Sequence, residues 1–262
     1  MWREITMKNK LNKLMSSILV FVLVLTVLTF SGCVEEDENK VIIGTSADFP
    51  PFEYLDDDGT IIGFDVDMTK GILEDLGYTV EVKDITFDSL IPSLQTGKID
   101  VIAAAMTITA DREEQVDFTD PYYEADQSIL VVEGSNIELQ NTIDLQNYTV
   151  GAQTGTTGAA WVEENLVGNG TMSAQNFSRY DTYTLAVLDL INGNIEAVVL
   201  DKPVAEAFSA NKEVEIIETI ITGESYGLAV QEGNTDLLEE LNQGLEDLIG
   251  TEEWYTLVET YF

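Results

Sequence analysis

From residue 41 to residue 105 the chain alternates short apolar runs with helically spaced ones and leaves little sequence between them. Residues 41–45 (VIIGT) read as a strand. Phe64, Met68, Ile72 and Leu76 then recur at helical spacing and stop at Gly77. Residues 78–82 predict a second strand, 87–96 a helix closed by Gly97, and 100–105 a third strand that is apolar after Asp100. Strand and helix in alternation with links this short imply a parallel sheet covered by helices on both faces. The alternation resumes further on, with strands expected at 128–133, 148–152, 172–177 and 196–200. Helices are expected from residue 157, at 182–191 and from Pro203. A strand at 225–231 and helices at 237–249 and 254–262 close the chain. The fold class is therefore α/β, with a second unit following the first.

In such sheets ligands gather beyond the carboxyl ends of the strands. Three of those ends carry chemistry in the first unit: Ser46 to Phe49, Phe87, and Thr107 to Arg112. Pro50 and Pro51 exclude a helix after Phe49 and make it a candidate aromatic wall, whereas Phe52 reads as a core plug. Arg112 stands out because residues 33–262 hold one other arginine, Arg179. Its fork suits a carboxylate through two parallel bonds. It suits equally well a surface pair with Asp111 or Glu113, and the residues alone do not separate the two readings. In the second unit Gln153-Thr154-Gly155-Thr156-Thr157-Gly158 opens a helix whose first N–H groups suit an anion, though it also reads as a tight, capped turn. Asp201 follows the strand at 196–200, either as a helix cap or as an acceptor for an ammonium. The run Asp56-Asp57-Asp58 before Gly59 fails the spacing of a calcium loop, because Tyr54 falls where the first carboxylate is needed. A hairpin turn between residues 53–55 and 60–62 is expected there instead.

Composition narrows the chemistry. The chain has no histidine, which excludes a Ser-His-Asp mechanism and His-ligated zinc, and no metal site or cofactor is expected. Residues 33–262 carry 8 basic against 47 acidic side chains, a surface that repels nucleic acid. Arg3, Lys8, Lys10 and Lys13 precede an apolar run at 14–30 that ends in Ser31-Gly32-Cys33. That order describes a secretory signal, with an uncleaved membrane anchor as the other reading. Cys33 is the sole cysteine, so no intramolecular disulfide forms. Asn147, Asn169 and Asn176 sit in N-x-S/T sequons.

Six segments, in order, carry a resemblance: GTSADFPPFEY, GTIIGFDVDM, FDSLIPSLQTGKIDVI, MTITADREEQVDFTDPYY, GAQTGTTG and NIEAVVLDKP. Together they resemble the extracellular solute-binding proteins, family 3, of amino-acid ABC transporters. The resemblance implies a two-lobed periplasmic-binding-protein-like fold of type II, each lobe a mainly parallel sheet flanked by helices. Lobe 1 would take residues 41–121 and 227–262, lobe 2 residues 127–221, with hinge crossings at 122–126 and 222–226. Residues 1–32 would form the signal and lipobox, Cys33 would be lipidated, and 33–40 would be the tether. Phe30 departs from the aliphatic residue usual in a lipobox.

The implied site places Arg112 on an α-carboxylate, helped by the turn at Thr156 and Thr157. Asp201, the Thr107 hydroxyl and the Ala105 carbonyl take the α-ammonium, and Phe49 and Phe87 wall the side chain. Ser46, Asp48 and Gln153 lie toward the side-chain end. Ser46 stands where relatives that bind cationic side chains often carry an acid, so a neutral polar amino acid is expected, with a medium apolar one as the alternative. The implied partners are a free amino acid, the permease with its ATPase, and the membrane through a lipid anchor. The protein is expected to be a monomer and not an enzyme, held on the outer face of the cell membrane. The rival readings on the same scaffold are a cyclic-acid dehydratase recruiting Glu124 or Asp48, and a ligand-sensing receptor domain.

Overall fold

Strand β1 (Lys40–Thr45) shows how the sheets are buried on both faces. Val41 and Ile43 point into one apolar cluster, while Ile42 packs against another on the opposite face. The computed structural model describes residues 39–262; the signal segment, Cys33 and the tether up to residue 38 lie outside the described residues. After β1 come a small meander, β2 (Asp48–Phe49), β3 (Glu53–Leu55) and β4 (Ile61–Ile62), and helix α1 (Phe64–Asp75). Asp56 closes the turn of that meander, its Oδ1 accepting the N–H groups of Asp58 at 2.9 Å and Thr60 at 2.8 Å. The acidic run is thus a turn device. Strand β5 (Thr79–Asp84) follows, then a 3-10 turn, Phe87–Ser89, leading into α2 (Leu90–Gln95). Strand β6 (Val101–Ile102), the short α3 (Ala110–Glu113) and β7 (Val116–Phe118) complete this part.

The long β8 (Tyr123–Val132) opens the second half. It is followed by β9 (Val150–Gln153), α4 (Thr157–Val162), β10 (Phe177–Tyr180), α5 (Tyr183–Ile191), β11 (Ala197–Asp201) and α6 (Lys202–Asn211). Strand β12 (Val214–Tyr226) then leads back to β13 (Ala229–Gln231), α7 (Thr235–Leu248) and α8 (Glu252–Tyr261). The first sheet has the order β5-β1-β6-β13-β7 and the second β10-β9-β11-β8-β12. In each, three parallel strands are followed on one side by two antiparallel pairings, so that β13 and β8 alone run against the rest of their sheets. Periodicity cannot reveal that mixture, because strand direction depends on the connection. Buried β11 divides its side chains as β1 does, Val198 and Leu200 to one cluster and Ala197 and Val199 to the other.

Three expected strands differ. Residues 173–176 form a turn, with the Ser173 hydroxyl accepting the Gln175 N–H, and the strand begins only at Phe177, in register with Val150. The expected strand at 100–105 pairs regularly only at Val101 and Ile102, since the backbone turns into a left-handed conformation at Ala105 (φ 44°). The strand expected at 225–231 is two strands divided at Gly227, where a side chain would meet Ile108 Cδ1 at 3.0 Å. The long β12 and the short β7 were not anticipated. Strand β12 lies at the edge of its sheet and mixes acids and threonines with isoleucines, so it lacks an uninterrupted apolar signal.

β8 and β12 pair from Val132↔Val214 to Tyr123↔Tyr226, and Tyr226 also bridges to Thr107. The ribbon therefore ties the second sheet to the loop that follows β6. The carboxyl ends of β1, β6, β9 and β11 supply the segments that face one another there.

Candidate amino-acid cleft

Nine candidates meet on one cavity wall: Phe49, Phe87, Ala105, Thr107, Arg112, Gln153, Thr156, Thr157 and Asp201. Local chemistry explains how each is delivered. Thr109 caps α3 by accepting the Arg112 N–H at 3.3 Å, which fixes the turn from which the guanidinium reaches inward. Arg112 is 9% exposed. Its Nη1 donates to the Thr107 carbonyl at 2.7 Å and its Nη2 to the Gly155 carbonyl at 3.0 Å, across the cleft. The guanidinium carbon lies 5.3 Å from the centre of the Phe87 ring. Arg112 is therefore a buried, fixed cation, and the surface pair with Asp111 or Glu113 does not form. Burial pulls its pKa down, while the charges of Asp201 and Glu224 hold it up.

Asp201 sits opposite. It occupies the cap position of α6 but makes no capping hydrogen bond with its side chain. Its Oδ2 accepts the Tyr226 hydroxyl at 2.5 Å. Burial, and then the charge of Glu224, push it from 3.8 to about 7. A cation beside it would restore the ionised form.

Thr156 caps α4, accepting the Ala159 N–H at 3.2 Å while donating to the Gln153 carbonyl at 2.8 Å. The left-handed turn at Ala105 is held from behind by Asp65, whose Oδ2 accepts the Ala105 N–H at 2.7 Å and the Tyr122 hydroxyl. A left-handed alanine costs about 1–2 kcal/mol, so this bond holds the peptide in a conformation it would otherwise leave.

Two candidates take other positions. Ser46 lies off the cavity wall and donates to Asp48 Oδ1 at 3.0 Å. Asp48 stands behind Gln153, whose Nε2 donates to it at 3.3 Å, and its Oδ2 accepts the Tyr183 N–H at 2.5 Å. Burial pushes Asp48 up to about 6, against these hydrogen bonds. Phe52 is fully buried, and Glu124 is exposed and does not line the cavity. Asp65, Tyr183, Glu224 and Tyr226 were missed. Glu224 had one available signal, an acid directly after glycine within the crossing at 222–226. No group of acidic or thiol side chains suited to a metal ion occurs among the described residues.

The model of the bacterial extracellular solute-binding proteins, family 3, matches residues 41–262. The chain belongs to this family. It is a solute-binding protein and not an enzyme. The ABC transporter arginine-binding protein 1 of Escherichia coli is 34% identical over 233 residues, covering 87% of this chain and 91% of that protein. The arginine-binding extracellular protein ArtP of Bacillus subtilis is 31% identical over 261 residues, covering 98% of each. An ancestral arginine-binding protein superposes with a TM-score of 0.79 in its arginine complex, at 39% identity, covering 86% of this chain and 98% of that one. Its glutamine complex gives 0.78 at 40% identity with the same coverage. No helix among the described residues is long and apolar enough to cross a membrane.

Proposed function

We propose that this solute-binding protein is the receptor of an ABC importer that traps a free polar amino acid between two lobes. The observation that carries this reading is the opposition of Arg112 and Asp201 in one buried cleft. One fixed cation and one ionisable acid, delivered from different sheets, match the two ends of a zwitterion. The ligand joins the lobes through these two groups and stabilises the closed form, with movement at 122–126 and 222–226. Arg112 holds the α-carboxylate; Asp201, Thr107 and Ala105 hold the α-ammonium; Phe49 and Phe87 flank the side chain.

The side-chain end favours hydrogen-bond donors, because Gln153 is backed by the acid Asp48. Glutamine fits the expectation of a neutral polar ligand raised by Ser46. Arginine is the second reading, favoured by Asp48 and by the names of the relatives. The protein works as a monomer held at the outer face of the membrane through Cys33, and delivers its cargo to a permease with its ATPase.

The test is a thermal-shift screen of the detergent-solubilised full chain against the common amino acids, beside Arg112→Ala. A ligand of the folded form adds roughly 4 kcal/mol at a thousandfold excess over Kd. A large shift with one or a few polar amino acids, lost in the variant, is the expected result. No shift with any amino acid refutes the proposal.

A further inference from the structure

We propose that Glu224 is the positioning residue that gives the cleft its polarity, by turning the Thr107 and Thr157 hydroxyls into acceptors for the ligand's α-ammonium. The inference rests on the amino-acid reading above and deepens it. Glu224 Oε2 accepts the Thr107 hydroxyl at 2.8 Å and the Thr157 hydroxyl at 2.7 Å. The Gln127 amide adds a third donor at 3.3 Å, and also reaches Thr157 Oγ1 at 3.2 Å.

A threonine hydroxyl has one proton and two lone pairs. Both threonines commit that proton to Glu224, so each presents only lone pairs to the cleft. Such a corner receives N–H groups and rejects a carboxylate. With Asp201 it forms an acceptor-only end facing the donor-only guanidinium of Arg112. Thr157 accordingly gives no hydroxyl proton to the carboxylate, and Thr156 gives none either, since it donates to Gln153. The carboxylate is left to Arg112 and to backbone N–H groups.

The strand is built to aim this acid. Ile220 pairs with Gln127 and Glu224 with Ala125, so β12 is longer than β8 across the interval and bulges. Gly223 takes the left-handed conformation there (φ 61°). Asp126 Oδ1 pins the bulge through the N–H groups of Thr222 at 2.8 Å and Gly223 at 2.9 Å. Thr107 belongs to the loop after the first sheet's β6 and Thr157 to the second sheet's α4. Glu224 therefore grasps both sides of the cleft from the ribbon that joins them.

The experiment compares wild type, Glu224→Gln and Glu224→Ala by calorimetry with L-glutamine and L-arginine. Competition then gives the affinities of the analogues without the α-amino group, glutaramate and 5-guanidinopentanoate. The expected result is a tenfold or greater loss for the amino acid in Glu224→Ala, with the matching analogue changed less than twofold. Glu224→Gln, which keeps an acceptor but loses the charge, falls between and decides the matter if the alanine variant does not fold. Equal losses for amino acid and analogue would reduce Glu224 to a structural clasp and overturn the inference while leaving the receptor reading intact. No loss in either variant overturns it outright. Failure of wild type to bind either amino acid removes the ligand class, and the inference with it.

Discussion

Asp201→Asn separates what the buried acid costs the empty fold from what it contributes to binding. Burial and the charge of Glu224 place this carboxyl at about 7, against 3.8 when exposed. The folded state therefore takes up a proton through about 7 and the unfolded chain only through 3.8. The associated stability is complete below the lower value and is lost as pH rises through the upper one. Between pH 5 and pH 8 this group alone lowers the stability of the empty wild type by about 3 kcal/mol. Asparagine keeps an acceptor for the Tyr226 hydroxyl and cannot ionise. The variant's advantage over wild type should thus be roughly 2–3 kcal/mol larger at pH 8 than at pH 5. Asp48 and Asp65, held at about 6 and about 7, slope in the same direction in both proteins, so the difference between the curves isolates Asp201. Binding should move the other way: losing a buried acid opposite an ammonium costs about 2–5 kcal/mol, or roughly 30- to 5000-fold in Kd. Urea unfolding of the empty full chain at the two pH values, with calorimetric titration of the ligand, measures both. Parallel stability curves for the two proteins, or an unchanged Kd, would refute the reasoning.

Two further substitutions test the cleft and the buried interior. Arg112→Lys keeps the charge but cannot reproduce donation to both the Thr107 and Gly155 carbonyls alongside a bidentate carboxylate, so titration should show affinity weakened by about 10- to 100-fold; a change under twofold would refute the fork. Glu53 is fully buried, neither of its carboxyl oxygens has a hydrogen-bond partner, and burial followed by the charge of Asp65 raises its pKa well above the usual range. Burial without a partner favours its neutral form, so Glu53→Gln should leave the unfolding free energy at pH 7 equal or higher. A fall of more than about 2 kcal/mol would show instead that the acid form makes a bond the amide cannot.

The parts legible in the sequence were local. Helical spacing from Phe64 to Leu76, the apolar strand ahead of Ser46 and the threonine-rich turn before Thr157 each rest on residues a few positions apart. Strand ends of a parallel sheet converge whatever the loops contain, and that grouped Phe49, Phe87 and Arg112 in the first unit; Asp201, from the second unit, was set opposite them only by the family resemblance. The supporting residues were hidden by distance along the chain. Glu224 reaches Thr107 over 117 residues, and Asp48 reaches the Tyr183 N–H over 135. An acid in an edge strand looks like surface charge until the far partner is known.

The sequence by itself determined the alternation of elements, the absence of imidazole chemistry, the acid excess and the types of side chain at each strand end. Tertiary structure decided which of those side chains meet in one cavity. Arg112 was equally a surface pair until the fold buried it against Thr107 and Gly155, and Asp201 was equally a cap until its carboxylate turned to Tyr226. The physical reason lies in solvation. A charged group's role depends on what replaces its water, and the replacements here arrive from strands and loops remote in sequence.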